Sequence, residues 1–172
     1  MKLRNPEIKD APLMLEWMQD EELVAFFQTN FKEKTLSDCE AFIRAASEDT
    51  CNRHWAICNE EDEYLGTVSL KQIDLKNKSA EYAIAMRRHA LGTGASQYGT
   101  EEVLKIAFEE MGLNRVYLNV LEDNVRANKF YERIGFVFEG CFKEHLFVNG
   151  TYRNLKWFAL TKTDYWARKA KV

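Results

Sequence analysis

The stretch Ser79-Ala80-Glu81-Tyr82-Ala83-Ile84-Ala85-Met86, followed four residues later by Leu91-Gly92-Thr93-Gly94-Ala95-Ser96, decides the fold. The first part reads as a strand. The second is a glycine-bearing connection into a helix that carries Val103, Ala107, Phe108 and Met111 on one face and stops at Gly112. Paired glycines at a strand-to-helix junction let a backbone approach a ligand, and the free N–H groups of the helix start favour an anion such as a pyrophosphate. A tight connection with no ligand explains the same glycines equally well. No Gly-Lys-Ser/Thr follows, so this is not a phosphate loop of the Walker type. The strand before it belongs to an antiparallel run, which argues against a dinucleotide fingerprint.

Upstream, His54 to Cys58 and Tyr64 to Gln72 have strand character, and the turns Glu60 to Glu63 and Asp74 to Lys78 complete a three-stranded antiparallel meander. Earlier still, a short apolar start at Leu3 leads to Asp10-Ala11-Pro12, a carboxylate cap with proline in the first turn. A second short helix is expected from Asp20 to Phe27, and Ser37 with Glu40 reads as a capping box ahead of Phe42 and Ile43. Downstream, Val116, Leu118 and Val120 alternate as a strand. Asn124 caps a helix bearing Ala127, Phe130, Tyr131 and Ile134 on one face, and Gly135 ends it. A hairpin from Phe142 to Leu160 turns at Asn149-Gly150, which tolerate the positive φ of a type I′ turn.

The expected class is α/β (α+β), a mixed and mostly antiparallel central sheet flanked by helices in the order β-α-α-β-β-β-α-β-α-β-β, over a single domain at 1–172. With 172 residues, 46% hydrophobic and 30% charged, and with two prolines and eight glycines, the chain has an ordinary globular balance. A net charge of -3 with interspersed signs offers no basic stripe for nucleic acid. The amino terminus lacks a basic start followed by an apolar run, and no stretch has the length of a membrane span, so the expectation is a cytoplasmic protein. Cys39, Cys51, Cys58 and Cys141 form no CxxC pair, and the three histidines lack ligand spacing, so no metal is expected and the cysteines are read as reduced.

Asn124 and Tyr131 stand seven residues apart, two helical turns, and can address one cleft. A plain N-cap and a core tyrosine fit the same two residues. Taken with Leu91-Gly92-Thr93-Gly94, Ala107-Phe108, the run Gly112 to Val120 and Asn124-Val125-Arg126-Ala127-Asn128-Lys129-Phe130-Tyr131-Glu132-Arg133-Ile134-Gly135-Phe136, they give a chain that resembles the GCN5-related N-acetyltransferase (GNAT) superfamily. The resemblance is strongest to the branch of ribosomal-protein alanine, spermidine and amino-sugar acetyltransferases. The family's loop pattern, Gln/Arg-x-x-Gly-x-Gly/Ala, falls on Leu91, Gly94 and Ser96, so its first and last positions depart here. Gly99, inside the following helix, is read as a local weakness.

The resemblance implies acetyl-CoA as the acyl donor, bound by the backbone of Ile84, Ala85 and Met86, by Leu91 to Ser96 (Gly92, Thr93, Gly94 and Ala95 included), and by Asn124 and Tyr131. It further implies Tyr131 as proton donor to the CoA sulfur and Glu81 as the base that draws a proton from the amine, although a strand-end surface carboxylate is an equal reading of Glu81. Glu144 and His145 of the hairpin are assigned to the acceptor pocket or to solvent. Among acceptors, a nucleotide-linked amino sugar ranks first, because Trp17, Phe26, Phe27 and Phe31 offer rings for stacking. A polyamine, drawn by Glu16, Asp20, Glu21 and Glu22, and a protein N-terminus are the alternatives, as is a non-catalytic CoA-binding module. A homodimer is compatible with the hairpin edge and aromatic surface.

Overall fold

In a computed structural model that describes residues 1–170, seven strands form one open sheet in the order β1-β2-β3-β4-β5-β7-β6. The strands are β1 (Lys2–Arg4), β2 (Arg53–Cys58), β3 (Tyr64–Asp74), β4 (Ser79–Met86), β5 (Arg115–Leu121), β6 (Val137–Val148) and β7 (Thr151–Thr161). All neighbours pair antiparallel except β4 and β5, which run parallel. The helices are α1 (Ala11–Met18), α2 (Glu21–Val24), α3 (Leu36–Ala46), α4 (Ala95–Lys105), α5 (Val125–Ile134) and α6 (Lys162–Lys169). This is the α/β class with a mixed, mostly antiparallel sheet that the sequence implies.

The parallel pair is the exception that makes a site. Its ladder holds only at Ser79↔Arg115, Ala80↔Val116 and Glu81↔Tyr117. Beyond those pairs, Tyr82 to Met86 and Leu118 to Leu121 diverge, while both strands stay paired on their outer sides to β3 and β7. The centre of the sheet is therefore a fork, with unpaired main-chain groups along its inner edges.

Alternation along the strands sorts the side chains into two cores. Ala80, Tyr82 and Met86 join Val68, Leu70, Val103, Phe108, Leu118, Tyr131, Phe136 and Phe158 on the α4–α5 side. On the opposite side, Ala56, Cys58 and Tyr64 pack with Met14, Trp17, Val24, Cys39 and Ile43 of α1–α3, and Ala85 lies against them. Among the described residues no helix is long and apolar enough to cross a membrane.

Several local expectations change. Asp10 does not cap α1; its carboxylate is buried, receives both terminal nitrogens of Arg4 (2.7 and 2.8 Å) and accepts from the Glu7 backbone N–H (2.8 Å). The capping box of α3 is Thr35 with Asp38 rather than Ser37 with Glu40, because the helix starts two residues earlier in the competition for free N–H groups. Three helices rather than two precede β2, and α6 follows β7, started by the Thr161 hydroxyl accepting from Asp164 N–H (3.2 Å). Gly99 is no weakness: a Cβ there would stand 2.3 Å from Ile57 Cδ1, so the glycine lets α4 lie directly on β2. The hairpin turn is as expected, with Asn149 and Gly150 at φ 51° and 77°.

Candidate active site

Four elements meet at the fork. The connection after β4 passes through a short turn at Arg88–Ala90 and reaches α4 through Gly92 (φ 83°) and Gly94 (φ 89°). A Cβ at either glycine would meet nothing within 4 Å, so the positive φ is what demands glycine, and the space above the loop is open. Gly94 is the N-cap of α4 and has no side chain to satisfy the first turn. The N–H groups of Gly94, Ser96 and Gln97 have no acceptor among the described residues, whereas Ala95 N–H reaches the Thr93 hydroxyl (3.4 Å) and Tyr98 N–H the Gly94 carbonyl (2.9 Å). Free donors and a helix dipole thus converge on open space, as an anion requires. Leu91 is half-buried against the apolar core, and the Ser96 backbone carbonyl accepts from the Thr100 hydroxyl (2.6 Å).

Ile84, Ala85 and Met86 lie on the unpaired arm of β4, with main-chain groups facing the fork. Asn124 caps α5, its Oδ1 accepting from Ala127 N–H (3.2 Å), which leaves its amide nitrogen free. Two turns on, Tyr131 is buried edge-on against Tyr82 (6.0 Å) and Phe136 (6.0 Å). Its hydroxyl has no protein partner among the described residues, and burial pushes the phenol above its ordinary range. A neutral O–H beside the fork is therefore available to donate.

Glu81 lies at the fork's closed end on the other face, in register with Lys71 and Tyr117. Its carboxylate is largely enclosed; one oxygen meets Lys71 Nζ (2.9 Å) and the other Gln72 Nε2 (3.0 Å). Tyr131 and Glu81 thus approach the fork from opposite faces of the sheet, because adjacent residues of one strand, Tyr82 and Glu81, point opposite ways.

The Glu81 side also carries residues the sequence reading did not single out. Tyr117, Trp157 and Phe142 form a row of rings, with centroid separations of 6.1 and 5.5 Å. Asn119 beside them accepts from Gln28 Nε2 (2.7 Å), which joins the α2–α3 connection to β5. Arg87 is buried and binds Glu16 through two nitrogens (3.0 and 2.9 Å), Glu63 (2.6 Å) and the Tyr64 carbonyl (3.0 Å). On the opposite face, in α5, Asn128 donates to the carbonyls of Leu121 (3.0 Å) and Asn124 (2.8 Å), fixing the turn into the helix. Nothing in spacing marks the ring row, the Gln28 and Asn119 pair or the Arg87 pairs, since their partners are distant in sequence.

Two expectations for the acceptor pocket are corrected. Trp17, Phe27 and Phe31 stack on one another at 5.1 to 5.7 Å, and Trp17 donates to the Tyr64 hydroxyl (3.2 Å), so they are packing residues; only Phe26 is exposed. The acidic run is internally paired: Glu16 with Arg87, Asp20 and Glu22 with Arg88, and Glu21 with Lys32. In the hairpin, Glu144 is exposed and tied through its backbone N–H to Asn154 Oδ1 (2.8 Å), and His145 packs edge-on against Phe142 (5.2 Å).

Residues 1–137 match the model of the Acetyltransferase (GNAT) domain. The spermidine N(1)-acetyltransferase of Vibrio cholerae is 27% identical over 132 residues, 77% of this chain and 76% of that protein. The putative ribosomal N-acetyltransferase YdaF of Bacillus subtilis is 32% identical over 104 residues, 60% of this chain and 57% of the relative. A crystal structure of spermidine N-acetyltransferase from Vibrio cholerae with CoA and spermine superposes with a TM-score of 0.88 over 96% of this chain and 97% of that one, at 24% identity, a likeness of fold. A dodecameric structure of the Vibrio cholerae enzyme gives 0.81 over 97% and 96%.

Proposed function

The chain belongs to the GNAT acetyltransferase family, and from that premise we propose that its forked sheet carries acetyl transfer with Tyr131 as acid and Glu81 as base. It is an acetyl-CoA-dependent N-acetyltransferase. The observation that carries the residue assignment is the fork itself, with a neutral phenol on one face and a carboxylate on the other. The residues present suit the cofactor: open space above Gly92 and Gly94, unspent donors at the start of α4 and an unpaired arm of β4.

Acetyl-CoA, when bound, supplies the thioester. The free N–H groups of Gly94, Ser96 and Gln97 would bind its pyrophosphate, and the main chain of Ile84 to Met86 its amide-bearing arm. Asn124 would contribute its amide nitrogen, with Leu91, Thr93 and Ala95 shaping the loop. Glu81 takes the proton that the acceptor's ammonium must lose, directly or through water, and Tyr131 gives one to the departing sulfur. We assign the whole of 1–172 to one N-acetyltransferase domain.

For the acceptor, the reading favoured here is a nucleotide-linked amino sugar. The rings of Tyr117, Trp157 and Phe142 offer a stacking surface on the Glu81 side, and the acids of the first helices are already paired with Arg87, Arg88 and Lys32. A polyamine is the second reading, favoured by the Vibrio cholerae relative, and a protein N-terminus the third, favoured by YdaF. A homodimer or larger assembly is compatible with the exposed aromatic hairpin. Calorimetric titration with acetyl-CoA, then thiol release on a panel of UDP-glucosamine, spermidine and N-terminal peptides, tests the reading. Turnover on UDP-glucosamine supports it, turnover on spermidine alone replaces the acceptor, and binding without turnover on any amine leaves a CoA-binding module.

A further inference from the structure

Consecutive residues of a strand point to opposite faces, yet Lys71 and Gln72 of β3 both reach the Glu81 carboxylate. The cause is a bulge. The β3–β4 register slips between Lys71 and Asp74, and Gln72 takes φ 48°, a left-handed conformation rare for a residue with a side chain. The strand thus accepts local strain at the position that puts two donors on one carboxylate. Lys71 is in direct cross-strand register with Glu81, which is itself the last pair before the fork opens. Its Nζ, 2.9 Å from Glu81 Oε1, is a primary amine held against the group assigned as base. That is the position an acceptor's ammonium would take.

We propose that Lys71 is an internal acceptor: in the absence of an external amine, its Nζ is acetylated by acetyl-CoA bound in the fork. The inference rests on Glu81 as base. Lys71 Nζ loses a proton to Glu81, and the neutral nitrogen attacks the thioester carbonyl. A C–N bond forms and the C–S bond breaks, and the thiolate leaves with a proton from Tyr131. The products are Nε-acetyl-Lys71 and CoA, and Glu81 and Tyr131 re-equilibrate with solvent, so atoms and charge balance. Acetylation removes the Lys71 charge and frees one oxygen of Glu81.

The test is incubation of the full chain with acetyl-CoA alone, followed by digestion and mass-spectrometric timing of acetylation at Lys71 against the exposed Lys76 of the neighbouring turn. Lys71 is the less exposed of the two, so undirected chemical acetylation favours Lys76. The expected result is acetylation of Lys71 at least about tenfold faster than Lys76, with the preference lost in Glu81→Gln and slowed by an added acceptor amine. Equal rates in the wild-type chain, or an unchanged preference in Glu81→Gln, overturn it. Turnover on the amine panel, measured on the same samples, separates the failures: turnover with unmodified Lys71 removes the internal acceptor alone, while no turnover and no modification removes the catalytic reading as well.

Discussion

The two faces of the sheet are built differently. On the α4–α5 face the components come from short stretches of chain: two glycines set the loop, Asn124 caps its own helix, and Tyr131 follows two turns later. Apolar packing among Tyr82, Tyr131, Phe136 and Phe158 does the rest. On the α1–α3 face the groups come from far apart. Arg87 reaches back to Glu16, Arg88 to Asp20, and Gln28 across to Asn119. The first face is made by local conformation and burial, the second by long-range polar pairs whose worth depends on both partners arriving.

The sharpest break of this contrast is Tyr131→Phe. The hydroxyl has no protein partner, so its removal leaves nothing unsatisfied and thermal stability should hold, while turnover drops about 100-fold or more. Unchanged turnover across pH, with binding intact, would remove Tyr131 as acid. On the other face, Arg87→Met severs the tie between the end of β4 and α1. A loss of about 3 kcal/mol in chemical denaturation is expected, at the lower end for breaking a buried pair because both carboxylates are half exposed.

Two glycine changes sharpen the comparison on the α4 side. Gly99→Ala adds helix propensity but drives a methyl into Ile57, and the overpacking should cost about 2 kcal/mol. A more stable variant would mean that α4 can lift off β2. Gly94→Ala meets no neighbour but must hold φ near 89°, which costs about 1 kcal/mol. Weaker acetyl-CoA binding by calorimetry, with the sheet core intact, is the signature expected there.

The smallest effect is a pH dependence on the α3 side. Burial holds His54, whose Nδ1 lies 2.8 Å from Ser69 Oγ, below its ordinary value. The folded state then binds fewer protons than the unfolded chain, so its contribution is present above the unfolded value of about 6.5 and is lost as pH falls through that region. Melting temperature from pH 8 to 5 should decline less steeply in His54→Gln; an identical decline would assign the slope to other groups.

Most of the strands and helices were legible because their causes are local. Alternation marks β2 to β5, Gly112 and Gly135 mark helix ends, and Asn149-Gly150 marks the hairpin. The misread elements are those where a nearby residue competed for the same role. Thr35 took the cap expected of Ser37, and Asp10 left its cap for Arg4. The missed helix α6 starts with Thr161-x-x-Asp164, a capping signature that the reading stopped short of at Leu160.

The candidate site divides along the same line. The sequence by itself determined the glycine loop, the cap at Asn124, the placement of Tyr131 and the family, because these depend on backbone conformation and on residues within a few turns of one another. Only the tertiary structure decided that Glu81 is clamped by Lys71 and Gln72, that the first-helix acids are spent on Arg87 and Arg88, and that Trp17, Phe27 and Phe31 pack together while Tyr117, Trp157 and Phe142 form a row of rings on the Glu81 face. Ion pairs and ring stacks of that kind join residues tens of positions apart, and their existence depends on strand order and register, which no local pattern of side chains encodes.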